Sequence, residues 1–130
     1  TYHVAYDPMR GIRTNEFKYI RSFEKRPWWL PPHVDYGSCS KEWYRQHQPE
    51  LFKMPRPPEL LYDLKKDPLE KNNLSNDNAY AQVLVDFRIQ LEKWMKSTDD
   101  SLLKGKVLPP KGATITSEDS WNPNENLIVY

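Results

Sequence analysis

The chain has 130 residues, 38% of them hydrophobic and 28% charged, and nineteen Lys+Arg against eighteen Asp+Glu leave a formal charge of +1. That length suits one domain, and near-neutrality excludes the whole-chain basic field of a nucleic-acid or acidic-membrane binder. One cysteine excludes an internal disulfide and a cysteine-rich zinc site, and no apolar run approaches the ~20 residues of a membrane span.

A mean hydropathy of −0.88 together with twelve prolines predicts a modest core wrapped in long irregular connections. Thr1-Tyr2-His3 does not read as a signal peptide, and the abrupt entry into apparent strand points to a piece of a larger chain or a mature secreted product. Three β-like pieces follow at residues 2–6, 9–14 and 17–23, parted by Asp7-Pro8 and Asn15-Glu16, turn-type residues at hairpin spacing. They predict an antiparallel meander with one wet face.

Residues 24–58 change character, because KRPWWLPPHVDYGSC and KMPRPP place prolines where ladder hydrogen bonds are needed. An irregular excursion this long is usually functional or wraps another surface. One short helix is predicted inside it over 40–48, with Ser40 as N-cap and Trp43 and Tyr44 as anchors.

A strand is predicted at 60–64, a turn at 65–68 and the strongest helix at 76–96. Tyr80, Leu84, Phe87, Leu91 and Trp94 recur at spacings of four, three, four and three, one continuous apolar stripe that must face a sheet or another helix. Ser75, Asn76 or Asp77 caps its start, and Asp99-Asp100 marks its exit. Residues 104–130 read as an extended tail.

Candidate functional side chains are few. Arg10 and Arg13 offer planar guanidinium forks to a sulfate or carboxylate, against the simpler reading that they lie on the wet face of a hairpin or pair with Glu16. Trp28, Trp29, His33 and Tyr36 form the densest aromatic group, suited to stacking on sugar rings or to packing against another domain. His3 and His47 lack a second ligand at helical spacing, which argues against a metal. Asn73-Leu74-Ser75 fits a glycosylation sequon, with helix capping as the simpler role of Ser75.

Two blocks carry a family resemblance. YDPMRGIRTNEFKYI, residues 6–20, resembles the sulfatase pattern of a Pro-x-Arg turn leading into an aromatic-basic hairpin. ELLYDLKKDPLEKNNL, residues 59–74, with the helix ending Leu91-Glu92-Lys93-Trp94, is similar to the signature near the sulfatase C-terminus. Tyr6 to Arg10, Asp67-Pro68-x-Glu70, Asn73-Leu74, Gln90-Leu91 and Thr98-x-Asp100 bring it nearest the heparan N-sulfatase (N-sulfoglucosamine sulfohydrolase) branch.

The resemblance implies an α+β fold: an antiparallel sheet of about four strands under one long amphipathic helix, with a long Pro/aromatic-rich loop. Residues 1–103 would be the C-terminal subdomain, with an irregular insertion at 24–58 and the tail at 104–130. It also implies a parent sulfatase hydrolysing sulfated glycosaminoglycan such as heparan sulfate, with calcium and a formylglycine made from a Cys-x-Pro-x-Arg motif. Cys39 stands in Gly-Ser-Cys-Ser-Lys without that Pro or Arg, and the family's calcium ligands have no counterpart, so no catalytic, metal or cofactor residue is expected within this segment.

Its expected partners are the N-terminal catalytic domain of the parent and a sulfated sugar lining Trp28 to Tyr36, with a periplasmic, secreted or lysosomal location. The other readings are a stand-alone glycan-binding or interaction module with the sulfatase tail fold, or the tail of a related phosphodiesterase.

Overall fold

A computed structural model describes residues 6–25, 29–30, 38–117, 120 and 127–129. They fall into two compact units, one made of Met9–Phe23 with Pro58–Val107, the other drawn from 1–8, 24–57 and 108–130.

The first unit is a three-stranded antiparallel sheet with one long helix. Its strands β1 (Met9–Arg13), β2 (Phe17–Ser22) and β3 (Glu59–Asp63) lie in the order β1-β2-β3. Thr14 makes the β1–β2 turn: its Oγ1 accepts from the N–H groups of Glu16 and Phe17, and its own N–H donates to the Phe17 carbonyl at 2.8 Å. Such a hydroxyl-closed turn sets the register, which pairs Arg13 with Lys18 and Ile12 with Tyr19. β3 then pairs Leu61 with Tyr19, and these two side chains are fully buried on the face that meets the helix.

The helix α2 spans Ala81–Ser97 and follows a 3-10 turn, Asn78–Tyr80, capped by Asp77. It holds no Gly or Pro, and its Ala, Leu, Gln, Glu, Lys and Met are good helix formers. Leu84, Phe87, Leu91 and Met95 bury the stripe, packing with Tyr19, Leu61 and Leu102. Phe87 meets Phe17 and Tyr19 with ring centroids at 6.3 and 6.1 Å. The predicted stripe therefore needs one correction: its last member is Met95, while Trp94 is 50% exposed. Leu84, Phe87 and Leu91 keep the predicted phase, and from Leu91 the step of four, to Met95, points into the core where the step of three, to Trp94, does not.

α2 stops in a Schellman-type exit. Asp99 sits in the left-handed region at φ 48°, its N–H donates to the Lys96 carbonyl, and the Asp100 N–H reaches back to the Met95 carbonyl at 2.9 Å. The Asp100 carboxylate then accepts from the Leu102 N–H and starts the 3-10 turn Ser101–Lys104.

In the second unit, α1 (Cys39–His47) runs into a 3-10 turn, Pro49–Phe52, that buries Phe52. The N-cap is Ser38, whose hydroxyl accepts from the Lys41 N–H, rather than Ser40. Arg56 donates to both oxygens of Asp7, at 2.8 and 2.5 Å. β4 (Thr114–Thr116) and β5 (Leu127–Val129) pair antiparallel within the stretch read as tail.

The described residues thus hold five strands in two sheets instead of about four in one. The α+β class, the small antiparallel sheet and the single long helix stand. The strand expected at 2–6 lies, but for Tyr6, outside the described residues.

Candidate functional site

Residues 59–74, so dense in polar side chains, are consumed by the fold. Asp63 Oδ1 accepts from the N–H groups of Lys65 and Lys66, closing the turn after β3, and Asp67 Oδ2 accepts from the Asn72 N–H at 2.7 Å. Asn73 covers the free edge of β3: its Oδ1 accepts from Leu61 N–H at 2.9 Å and from Ser75 N–H, and its Nδ2 donates to the Glu59 carbonyl. Leu74 N–H completes that edge by donating to the Leu61 carbonyl. An unpaired edge invites intermolecular pairing, and a side-chain amide mimicking a strand removes the opening. Asn73 is thus a structural amide, and Asp77, not Ser75, caps the segment that follows.

Glu59 links sheet and helix. It accepts from the Tyr19 hydroxyl at 2.5 Å and from both Nε and Nη2 of Arg88. The Arg88 fork, opposed by burial and aided by Tyr19, holds its carboxyl below the usual range. Burial first, and then donation to Glu59, pushes the Tyr19 phenol well up.

Of the two candidate arginines, Arg10 is engaged. Its Nε and Nη2 donate to the two oxygens of Asp100 at 2.6 and 3.2 Å, and Nη1 donates to the Met9 carbonyl. Arg13 is 67% exposed and stands 3.9 Å from Glu70, whose other oxygen is taken by Lys18 at 2.6 Å. Neither arginine pairs with Glu16, which Lys65 holds. Trp29 is half-buried in a bend, next to Leu30, whose N–H donates to the Leu51 carbonyl. Trp28, His33 and Tyr36 lie outside the described residues.

The surface of α1 holds a group that the sequence reading treated as anchors. Trp43 is 48% exposed and no residue of α1 is buried. His47 stacks on Trp43, centroids 4.6 Å apart and planes 12° apart, and Tyr44 meets Trp43 edge-on at 5.2 Å. His47 Nδ1–H donates to the Trp43 carbonyl at 2.9 Å; a carbonyl only accepts, so Nε2 is the ring's outward nitrogen. Arg45 grips Glu42 through Nε and Nη2, Gln46 adds a third bond, and these donors pull the Glu42 carboxyl down to about 2. The i, i+4 spacing of Trp43 and His47 was the available signal for this pairing.

Among the described residues no three His, Cys, Asp or Glu side chains cluster so as to hold a metal, which does not fit a calcium cage there. Cys39 is an exposed thiol. No helix of the described residues is long and apolar enough to cross a membrane.

Against this geometry the comparisons are specific. No protein-family model matches the chain. It is 32% identical over 106 residues to an ulvan-active sulfatase of Formosa agariphila, covering 72% of this chain and 17% of that protein. A second ulvan-active sulfatase of the same organism is 30% identical over 129 residues, 92% of this chain and 24% of its own length. A Delta 4,5-hexuronate-2-O-sulfatase of Bacteroides thetaiotaomicron is 39% identical over 49 residues, 38% of this chain and 10% of that one.

A solved Bacteroides thetaiotaomicron structure described as a candidate sulfatase matches 95% of this chain and 21% of its own with a TM-score of 0.52; at 21% identity that likeness is one of fold. The chain is a sulfatase-like segment, and it spans about a fifth of the length of the first two relatives it matches.

Proposed function

We propose that this chain is the C-terminal subdomain of a sulfatase acting on sulfated polysaccharide, and that it completes the fold and supplies one wall of the substrate cleft. The observation that carries the reading is the match to two ulvan-active sulfatases over 72% and 92% of the chain. The proposed substrate is a sulfated glycosaminoglycan such as heparan sulfate, with the heparan N-sulfatase branch as the finer assignment and ulvan as the substrate class that the relatives' names bring. The parent chain would provide calcium, the formylglycine nucleophile and an extracytoplasmic setting.

Within the segment, Trp28, Trp29, His33 and Tyr36 are proposed as sugar contacts, because aromatic faces pair with the CH faces of pyranose rings. Arg13 is proposed as an anion contact in its own right. Arg10 is assigned to the fold, since Asp100 occupies its fork.

The test is sulfate release by the full-length protein from heparan sulfate and ulvan oligosaccharides, followed by ion chromatography. The expected result is release from one of the two, reduced by W28A/W29A and R13A chiefly through KM. Release from neither overturns the reading.

A further inference from the structure

We propose that the outer edge of β5 receives a third strand from the part of the parent protein that lies outside this chain, an inference that rests on reading the chain as a segment of a larger sulfatase. β4 and β5 pair regularly, Thr114 with Val129, Ile115 with Ile128 and Thr116 with Leu127. Among the described residues only β4 flanks β5, so alternate N–H and C=O groups of β5 point away from the ladder with no strand to meet them. Two strands alone are marginally stable in water, and a third strand or a covering layer is what makes such a ribbon stable.

The side chains agree with the edge. Leu127, Ile128 and Val129 are 50%, 45% and 71% exposed, and because successive side chains of a strand point to opposite faces, β5 is apolar and open on both. An uninterrupted apolar run is the pattern of a strand inside a sheet with both faces covered. The edges of the three-stranded sheet, by contrast, are closed against pairing. Asn73 and Leu74 occupy the free edge of β3, and β1 sets Arg10 and Arg13 along its own, charges of the kind that keep an edge from pairing. β5 has neither a charge nor a proline nor a bulge.

Reach and size select the occupant. The edge hydrogen bonds require an extended backbone, and the open faces require apolar side chains and a covering layer behind them. At about 3.3 Å per residue, β5 offers an edge of roughly 10 Å. Pairing β5 with β5 of a second copy therefore falls far short of the roughly 1,000 Å² that a stable interface between separate chains needs. A segment of the same polypeptide meets the edge at an effective concentration of up to about millimolar and needs no such area. The relatives have that polypeptide: this chain spans 17% and 24% of the two ulvan-active sulfatases, so most of each lies outside the matched stretch.

The experiment is hydrogen exchange of the full-length protein, read residue by residue at two protein concentrations about a hundredfold apart. The expected result is that the amides of Leu127, Ile128 and Val129 all exchange at least roughly tenfold slower than in an unstructured peptide, equally at both concentrations. Slow and fast amides in alternation mean a bare edge and overturn the proposal. Protection that grows with concentration means a second copy and overturns it too.

A benzophenone photocrosslinker in place of Ile128 identifies the segment. A crosslink to a peptide of the same polypeptide outside residues 1–130 supports the proposal, while a crosslink within 1–130, one between two copies, or none overturns it. Hydrogen exchange needs no substitution, so its result stands even where the crosslinker variant fails to fold. The underlying reading fails separately: sulfate release with a bare β5 edge sinks the added strand and keeps the enzyme, and a protected edge without sulfate release does the reverse.

Discussion

Arg10 and Asp100, 90 residues apart in sequence, are joined by a two-pronged ion pair, Nε to Oδ2 at 2.6 Å and Nη2 to Oδ1 at 3.2 Å. The pair ties β1 to the exit of α2. Asp100 is 6% exposed in its side chain and also accepts from the Leu102 N–H, so one carboxylate serves as ion-pair partner and cap together.

Its acid dependence is a direct test. The Arg10 fork, then the Leu102 N–H, hold the Asp100 carboxyl below its usual range against the opposing effect of burial. A lowered carboxyl pKa contributes stability that is full above the unfolded value of about 3.9 and is lost as pH falls through the folded one. Urea unfolding of R10M should show a stability deficit at neutral pH that shrinks in acid. A deficit independent of pH would mean that Arg10 acts through packing alone.

Tyrosine titration probes the sheet face and its reverse. Burial and then Glu59 raise Tyr19; burial, Glu70 and Asp67 raise Tyr62. These two should stay protonated at the pH, near about 10, where a free tyrosine phenol ionises. A raised phenol pKa contributes stability present below that value and lost as pH climbs toward the folded pKa. Phenolate absorbance should show a late fraction coinciding with alkaline unfolding. Y19F should remove part of it and cost about 1–2 kcal/mol, the worth of a hydrogen bond to a partly buried carboxylate.

The helix register separates two neighbours on α2. Leu91 is 1% exposed and Trp94 50%. L91A should destabilise by about 2–5 kcal/mol, lost transfer energy plus cavity, and W94A by no more than about 0.5 kcal/mol. Thermal or denaturant unfolding of both reads the orientation of α2; the reverse order would place Trp94 in the core.

Asn73 should behave as a strand edge. N73A removes three hydrogen bonds and leaves the Leu61 N–H, on a fully buried residue, without its side-chain acceptor. The expected cost is about 2–3 kcal/mol, with faster hydrogen exchange at Leu61. An unchanged exchange rate would show that Leu61 N–H finds another partner.

Much of the first unit was legible. Short apolar-rich runs bounded by turn residues are enough to mark Met9–Arg13, Phe17–Ser22 and Glu59–Asp63 as strands, and period 3.6 marks the α2 stretch as a helix, because it puts Leu84, Phe87 and Leu91 on one face. The errors lie at ends and on surfaces. The choice between Ser38 and Ser40 as N-cap, or Trp94 and Met95 as the last buried residue, turns on one or two positions near a helix end, where the i+3 and i+4 neighbours share a face and the boundary is set by contacts outside the helix.

The candidate site was less legible, and for a different reason. Residue type alone makes Arg10 and Arg13 equivalent oxyanion forks; only the fold brings Asp100 to one and leaves the other exposed beside Glu70. Residue type likewise makes Trp43 a core anchor, and only the packing turns it outward with His47 stacked upon it.

By itself the sequence determined the α+β class, the β1–β2 hairpin, the amphipathic helix and the sulfatase likeness, since these rest on neighbours within a few residues or on the order of motifs. The tertiary structure decided which charges are spent on the fold. Hydrogen bonds such as Arg10 to Asp100, Lys18 to Glu70 and Arg88 to Glu59 join residues 90, 52 and 29 positions apart, and no local pattern encodes a partner at that distance.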